Sequence, residues 1–173
     1  RFQNGYGVVA SYDRALAPGW IGSVTAAATA LRYKGDSLRD TNQFLGSAAL
    51  IRSQGAVTQS LSLYGAQEPS EEGGLGKHNG RDFFGAFYGA GFEAGDWGPY
   101  LRAGVQRAKY DDTHPVFART RKDTTLTATA GTTLKVWEGL QLHAEAGYTY
   151  VDSNLPVFDY DRWLIEFGLR QTL

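Results

Sequence analysis

"RKDTTLTATAGTTLKVWEGLQLHAEAGYTY" runs from Arg121 to Tyr150, and its character changes with every residue. Two alternating segments meet at the tight connection Val136-Trp137-Glu138-Gly139. A period of two is the period of a strand, whose successive side chains point to opposite faces. In the second segment Leu140, Leu142, Ala144, Ala146, Tyr148 and Tyr150 share one side, and Gln141, His143, Glu145, Gly147 and Thr149 the other. The first segment sets Leu126, Ala128, Ala130, Leu134 and Val136 against a threonine row, Thr125, Thr127, Thr129 and Thr133. Such an apolar side faces either a water-soluble core or lipid. The rest of the chain decides which.

The 173 residues suffice for one domain whose core needs no staples. Seventeen basic residues nearly balance eighteen acidic ones, which argues against a nucleic-acid or polybasic membrane surface. Cysteine is absent, which excludes a disulfide scaffold and any thiolate site and suits a compartment that oxidises stray thiols. Methionine is absent too, so Arg1 is expected to be a processed or fragment start. Glycine is in excess at 22 residues, and Phe, Trp and Tyr make up 13%, a β composition. No stretch of about eighteen apolar residues encodes a transmembrane helix. The mean hydropathy of -0.34 is compatible with a membrane barrel, which carries its apolar surface on every second residue.

The pattern predicts nine strands, roughly Tyr6–Ala15, Trp20–Tyr33, Asn42–Arg52, Val57–Gly65, Arg81–Glu93, Tyr100–Tyr110, Thr124–Val136, Leu140–Val151 and Tyr160–Leu173. Most are longer than the five or six residues common in soluble sheets, and they reach the roughly nine to eleven that a tilted strand needs to cross a bilayer. Their connections alternate. LAPG, SQGA, AGDWGP and WEG are short; KGDSLRDT, AQEPSEEGGLGKHNG, DDTHPVFARTRKD and DSNLPVFD are long and polar. Outer-membrane barrels have tight turns at the periplasmic end and excursions at the extracellular end.

The faces agree with a membrane wall. In the last strand Trp163, Ile165, Phe167 and Leu169 oppose Arg162, Glu166 and Arg170. Aromatics gather near strand ends (Tyr12, Trp20, Tyr33, Trp97, Tyr100, Tyr110, Trp137, Tyr148, Tyr150 and Trp163), where interfacial girdles belong. Trp137, Tyr148, Tyr150, Trp163 and Phe167 are therefore expected at the lipid side or its interface. Arg102, His143, Glu145, Arg162, Glu166 and Arg170 are expected to face the lumen. The sixth strand puts Arg107 and Lys109 on the apolar side, which requires the membrane edge or a bulge. A soluble antiparallel sheet also has one polar and one apolar face, so a soluble barrel or sandwich stays open at this point.

With long connections outside, the first of nine strands starts on the extracellular side. Single-chain bacterial barrels have an even strand number and periplasmic termini. The count therefore predicts at least one more strand before Arg1. The expected fold is all-β, an antiparallel up-and-down transmembrane β-barrel. Residues 1–173 would be a single barrel domain or a fragment, the C-terminal nine or so strands of a larger barrel.

From about Gly80 onward the chain resembles the C-terminal barrel of the surface lipoprotein assembly modifier family. The resemblance rests on Arg121-Lys122-Asp123 and on the order Tyr148-x-x-x-x-Ser153-Asn154-x-Pro156-x-x-x-Tyr160-x-Arg162, followed by Glu166-Phe167-Gly168-Leu169-Arg170. Ser153, Asn154, Pro156 and Tyr160 form the family-like loop. Two departures stand out: the chain ends Gln171-Thr172-Leu173 rather than in Phe, and the early strands are absent. The resemblance implies a barrel of about fourteen strands, a periplasmic helical-repeat region and further strands before this segment. It also implies a lipoprotein or other secreted client.

No catalytic constellation assembles. His78, His114 and His143 are the only histidines, and none pairs with another at metal-ligand spacing. Gly89–Gly91 lies inside a strand pattern without a following helix, so it is no phosphate loop and instead permits close strand approach. Neither enzyme activity nor a metal or cofactor is expected, and nucleic acid is not an expected partner. The Asp152–Arg162 stretch is expected to be an ordered loop, with Pro156 setting direction and Asn154 bonding a turn. Glu68–Glu72 reads as a solvated acidic excursion. The expected role is an outer-membrane component, surrounded by lipid, that assists translocation or surface display of (lipo)proteins. A porin-like or polysaccharide-export channel and a soluble ligand-binding β-barrel are the alternatives.

Overall fold

The computed structural model of the chain describes residues 3–33, 40–69 and 79–171. These residues form nine strands: β1 Gln3–Ala17, β2 Trp20–Tyr33, β3 Thr41–Gln54, β4 Val57–Glu68, β5 Arg81–Phe92, β6 Trp97–Thr113, β7 Thr120–Trp137, β8 Leu140–Ser153 and β9 Tyr160–Gln171. All pair antiparallel with their sequence neighbours in one sheet of order β1 to β9. The shortest strands have 12 residues and β7 has 18, well beyond a soluble strand. His78 and most of the acidic excursion after Glu68 lie outside the described residues, as does the terminal Leu173.

Each short connection closes with a two-residue turn, tighter than the sequence suggests at Val136–Gly139. Pro18-Gly19 shows why the chain reverses there. Proline fixes φ at the first central position, and Gly19 takes φ +75° at the second, the order of a type II turn. A Cβ on Gly19 would also stand 2.4 Å from the Ser53 carbonyl oxygen of the adjoining strand end.

Opposed residues in an antiparallel ladder share a face, so the register carries each face across the sheet. One face, here called outward, bears Val8, Val24, Leu50, Leu61, Tyr88, Leu101, Ala130, Ala146 and Ile165. The inward face bears mainly Ser, Thr and Gly with a few charges. Neither face is a packed core: no large side chain among the described residues is fully buried, and Phe167 is 82% exposed. A soluble sandwich or barrel of this size would hide a set of Leu, Ile and Phe inside. Here most of those residues are on the outward face, and the few on the inward one, such as Ile51, Phe87 and Leu164, are not fully buried.

Burial is confined to the inward face at the long-connection end. Ala66, Ala108, Asp123 and Ser153 follow one cross-strand line, with Val151 beside it and Leu155, 2% exposed, folded over it. The segment after β8 turns through a 3-10 helix, Pro156–Phe158, before entering β9. Asn154 does more than bond a local turn. Its Oδ1 accepts from the Lys122 N–H at 2.7 Å, and its Nδ2 donates to the Thr120 carbonyl at 2.9 Å. Ser153 N–H donates to Asp159 Oδ1 at 2.6 Å, and Leu155 N–H to Ser153 Oγ at 3.2 Å. Tyr160 then pairs with Val151 to start β9. The motif residues thus fasten one excursion onto the neighbouring strand.

One sequence expectation changes. Glu68 is not in a solvated excursion: it ends β4, where it meets Arg81 Nε at 2.6 Å and accepts from Gln43 Nε2. Its neighbours in the ladder supply partners that no linear reading of an acidic run contains. The sheet is open, because β1 and β9 do not pair with each other among the described residues. Nine strands are present; ring closure by these nine is not.

Candidate functional site

The inward wall is shaped by rings lying across glycines. Tyr64 opposes Gly85, Phe87 opposes Gly104 and Tyr100 opposes Gly131 in the ladders. A Cβ on Gly104 would stand 2.3 Å from the Phe87 ring, and one on Gly131 2.5 Å from Tyr100 Cζ and Oη. Aromatic side chains thereby cover backbone that has no side chain of its own, and the cross-strand pair fixes register. Tyr64 stacks on Phe87 with centroids 5.5 Å apart, and its hydroxyl donates to Gln106 Oε1 at 2.9 Å.

Flattened across Gly131, Tyr100 reaches the next strand but one. Its hydroxyl donates to Glu145 Oε2 at 2.5 Å and lies 2.7 Å from His143 Nε2. With its single proton given to the carboxylate, the hydroxyl accepts from the histidine N–H. The His143 ring lies edge to edge with that of Tyr100 and nearly parallel to it, with centroids 6.2 Å apart and an interplanar angle of 7°. The three residues come from β6 and β8, with β7 between them contributing only the glycine that makes room. Arg102 stands over the Tyr100 ring at 4.9 Å.

Around this cluster the wall carries charges of both signs. Glu145 is directly opposed by Glu166, Thr149 by Arg162 and Gln141 by Arg170. Arg102, His143, Glu145, Arg162, Glu166 and Arg170 therefore share the inward face. Tyr148, Tyr150, Trp163 and Phe167 share the outward one, where Tyr148 and Trp163 pack at 4.7 Å, and Trp137 sits exposed at the short-turn end. Tyr100 and Tyr110 depart from the aromatic girdle expected of them. Their register puts both inward, Tyr100 on the cluster above and Tyr110 beside Arg121.

At the long-connection end the same face is topped by a second cluster. Arg121 pairs with Asp123 at 2.6 Å and lies 3.6 Å from the Phe158 ring centroid and 4.6 Å from that of Tyr110. His114 touches Phe117 and Phe158. The excursions after β6 and β8 are joined through these contacts into one cap above the wall. Ala118, in the first of them, is the one non-glycine with positive φ among the described residues. The sequence shows the resident aromatics and Arg121, but nothing in it signals that they meet.

Chemically, the wall offers hydroxyls, amides and paired charges to water. Beside the Tyr100–His143–Glu145 contact in the ladders, Thr133 opposes His143 and Glu166 opposes Glu145. The evident effect of the contact is to hold three side chains against the wall.

A family model described as "Protein of unknown function (DUF2860)" matches residues 77–170. That is the same stretch that resembles the lipoprotein assembly modifiers, and the matching family is a different one. No curated protein matches the sequence. Among solved structures, the fold is similar to a loop L8 deletion mutant of OmpT, an outer membrane protein of Vibrio cholerae, with a TM-score of 0.67 at 12% identity. It is also similar to the copper transporter OprC, with a TM-score of 0.58 at 9% identity. The chain is covered to 98% and 96%, but spans only 53% and 33% of those proteins. Strand length, meander order, the apolar outward face and this fold place the chain among outer-membrane β-barrel proteins.

Proposed function

Since the chain belongs to the family described as protein of unknown function (DUF2860), we propose that it forms an arc of an outer-membrane barrel whose inward wall lines an aqueous, porin-like passage. One observation carries the reading: hydroxyls, glycines and charges recur across the inward face, and no large side chain among the described residues is fully buried there. Ser47, Ser60, Ser62, Thr125, Thr127, Thr129 and Thr149 recur on it from β3 to β8. Such residues gain nothing by facing one another dry and are well served by water. The open ladders of β1 and β9 are completed by further strands, since unpaired backbone in hydrocarbon costs several kcal/mol per group. The cap of Arg121, Phe158 and Leu155 narrows the extracellular mouth. Catalysis has no part in this proposal. Protein translocation and lipoprotein surface display draw no specific support from these contacts.

The test is electrical. Full-length protein in planar bilayers should give unit openings. Thr127→Cys, reacted with a cationic methanethiosulfonate, should lower the unit conductance by tens of per cent, while the outward Ala128→Cys leaves it unchanged. Closed bilayers, or equal effects at both positions, would remove the passage.

A further inference from the structure

The outward face is apolar from the short-turn end upward, until β6 and β7 break the pattern. Arg107 and Lys109 on β6 and Lys122 on β7 are outward, exposed and adjacent: Lys109 directly opposes Lys122, and Arg107 lies one outward position below. The register shift in β6 comes only after Lys109, so a bulge does not turn these cations inward. Arg107 stands ten residues along β6 from Trp97. That is a rise of about 33 Å along the strand, or about 25 Å along the membrane normal at a tilt of about 40°. An apolar band is about 25 Å tall. The cations therefore sit at headgroup level in the leaflet beside the long connections.

None of the three makes an ion pair or a side-chain hydrogen bond among the described residues. The contrast is with Arg52, outward at the opposite end, which donates to Gln54 Oε1 at 2.6 Å and lies over the Trp20 ring. A groove of about 730 Å³ runs between the cations, floored by β5–β8 backbone and bounded below by Phe84. Asp82, opposite Lys109, and Asp152, opposite Thr124, bracket it on either side. Asp111, two residues beyond Lys109 and near both Lys109 and Asp82, is a third acid at the groove's edge. An anion is therefore favoured only over the β6–β7 pair, where Arg107, Lys109 and Lys122 adjoin. Beneath it lie Val105, Leu126 and Tyr150, where acyl chains would run.

We propose that this groove binds the phosphorylated headgroup of an outer-leaflet glycolipid of the lipid A type, its acyl chains lying on the rows below. A phosphate is the group suited to three converging donors, because it carries up to two charges and three acceptor oxygens. A zwitterionic headgroup brings its own ammonium to cations already close together. The proposal rests on the outward orientation of this face and not on the passage within.

The experiment is native mass spectrometry of the full-length protein in neutral detergent. It is titrated with bisphosphorylated lipid A, with its dephosphorylated form and with phosphatidylglycerol. The phosphorylated glycolipid should bind at least about tenfold more tightly than either of the others. Arg107→Gln/Lys109→Gln/Lys122→Gln should lower it to the level of the dephosphorylated form, and Arg52→Gln should leave it unchanged. If the triple variant loses the heat-modifiable migration of a folded barrel, the wild-type comparison decides alone. Equal binding of the two glycolipids, phosphatidylglycerol matching lipid A, or a folded triple variant with undiminished binding would each overturn the proposal.

Discussion

Arginine in place of Ala130 should destabilise the inserted protein by about 2–4 kcal/mol, the cost of a cation on the lipid face near the midplane. Ala130 lies outward between Leu101 and Ala146, in the middle row of the apolar band. No acid stands near enough to pair with the new charge, and the short distance to either leaflet is blocked by further apolar rows. Three residues away, Thr127→Arg should cost less than about 1 kcal/mol. Thr127 is inward, between Gly104 and Thr149, where water can solvate a guanidinium. Reversible urea unfolding of the full-length protein in vesicles measures both. Equal costs would mean that the two faces do not see different solvents.

The second large effect concerns Gly131. Leucine there would drive a Cβ to 2.5 Å from the Tyr100 ring and 2.9 Å from the Ala144 carbonyl oxygen. The ring would have to leave, and with it the hydroxyl bonds to Glu145 and His143. Overpacking and the lost charge-assisted bond together come to about 3–5 kcal/mol. Gly46→Ala, with nothing within 4 Å of the added Cβ, should change stability by less than about 0.5 kcal/mol. Removing the obstructing ring with Tyr100→Ala should recover part of the Gly131→Leu loss, as a coupling of at least about 1 kcal/mol in a double-mutant cycle. Additive losses would show that the ring and the glycine do not meet.

The strands and their faces were legible because period two survives in every segment, and because Pro18-Gly19 and Glu138-Gly139 mark where hairpins turn. Short turns also transmit register. From the Ala94–Trp97 bridge, Phe87 falls opposite Gly104 by counting. The other two ring–glycine pairs could not be counted. Tyr64 and Gly85 are separated by residues 69–80, and Tyr100 and Gly131 by the bulge after Lys109 and the excursion before Thr120. Long connections lose register, and with it the Tyr100–His143–Glu145 contact. Tyr100 and Tyr110 read as girdle residues from their distance to a strand end alone, although the parity that sets Arg107 and Lys109 on the apolar side already puts both tyrosines on the other. Arg107 and Lys109 were visible as a break in the apolar pattern, and what the structure added was Lys122 beside them on the next strand.

Solvent on the two faces can be read directly from a cysteine scan of β8, since the chain has no native cysteine to give background labelling. Single cysteines at Gln141, Leu142, His143, Ala144, Glu145, Ala146, Gly147, Tyr148 and Thr149 in the full-length protein in vesicles would be challenged with a membrane-impermeant thiol reagent. The same positions, carrying a fluorophore, would be tested with a lipid-dissolved quencher. The account predicts thiol labelling at the odd positions and lipid quenching at the even ones, alternating without a break. Uniform labelling, or lipid quenching at Gln141, His143 and Glu145, would contradict it.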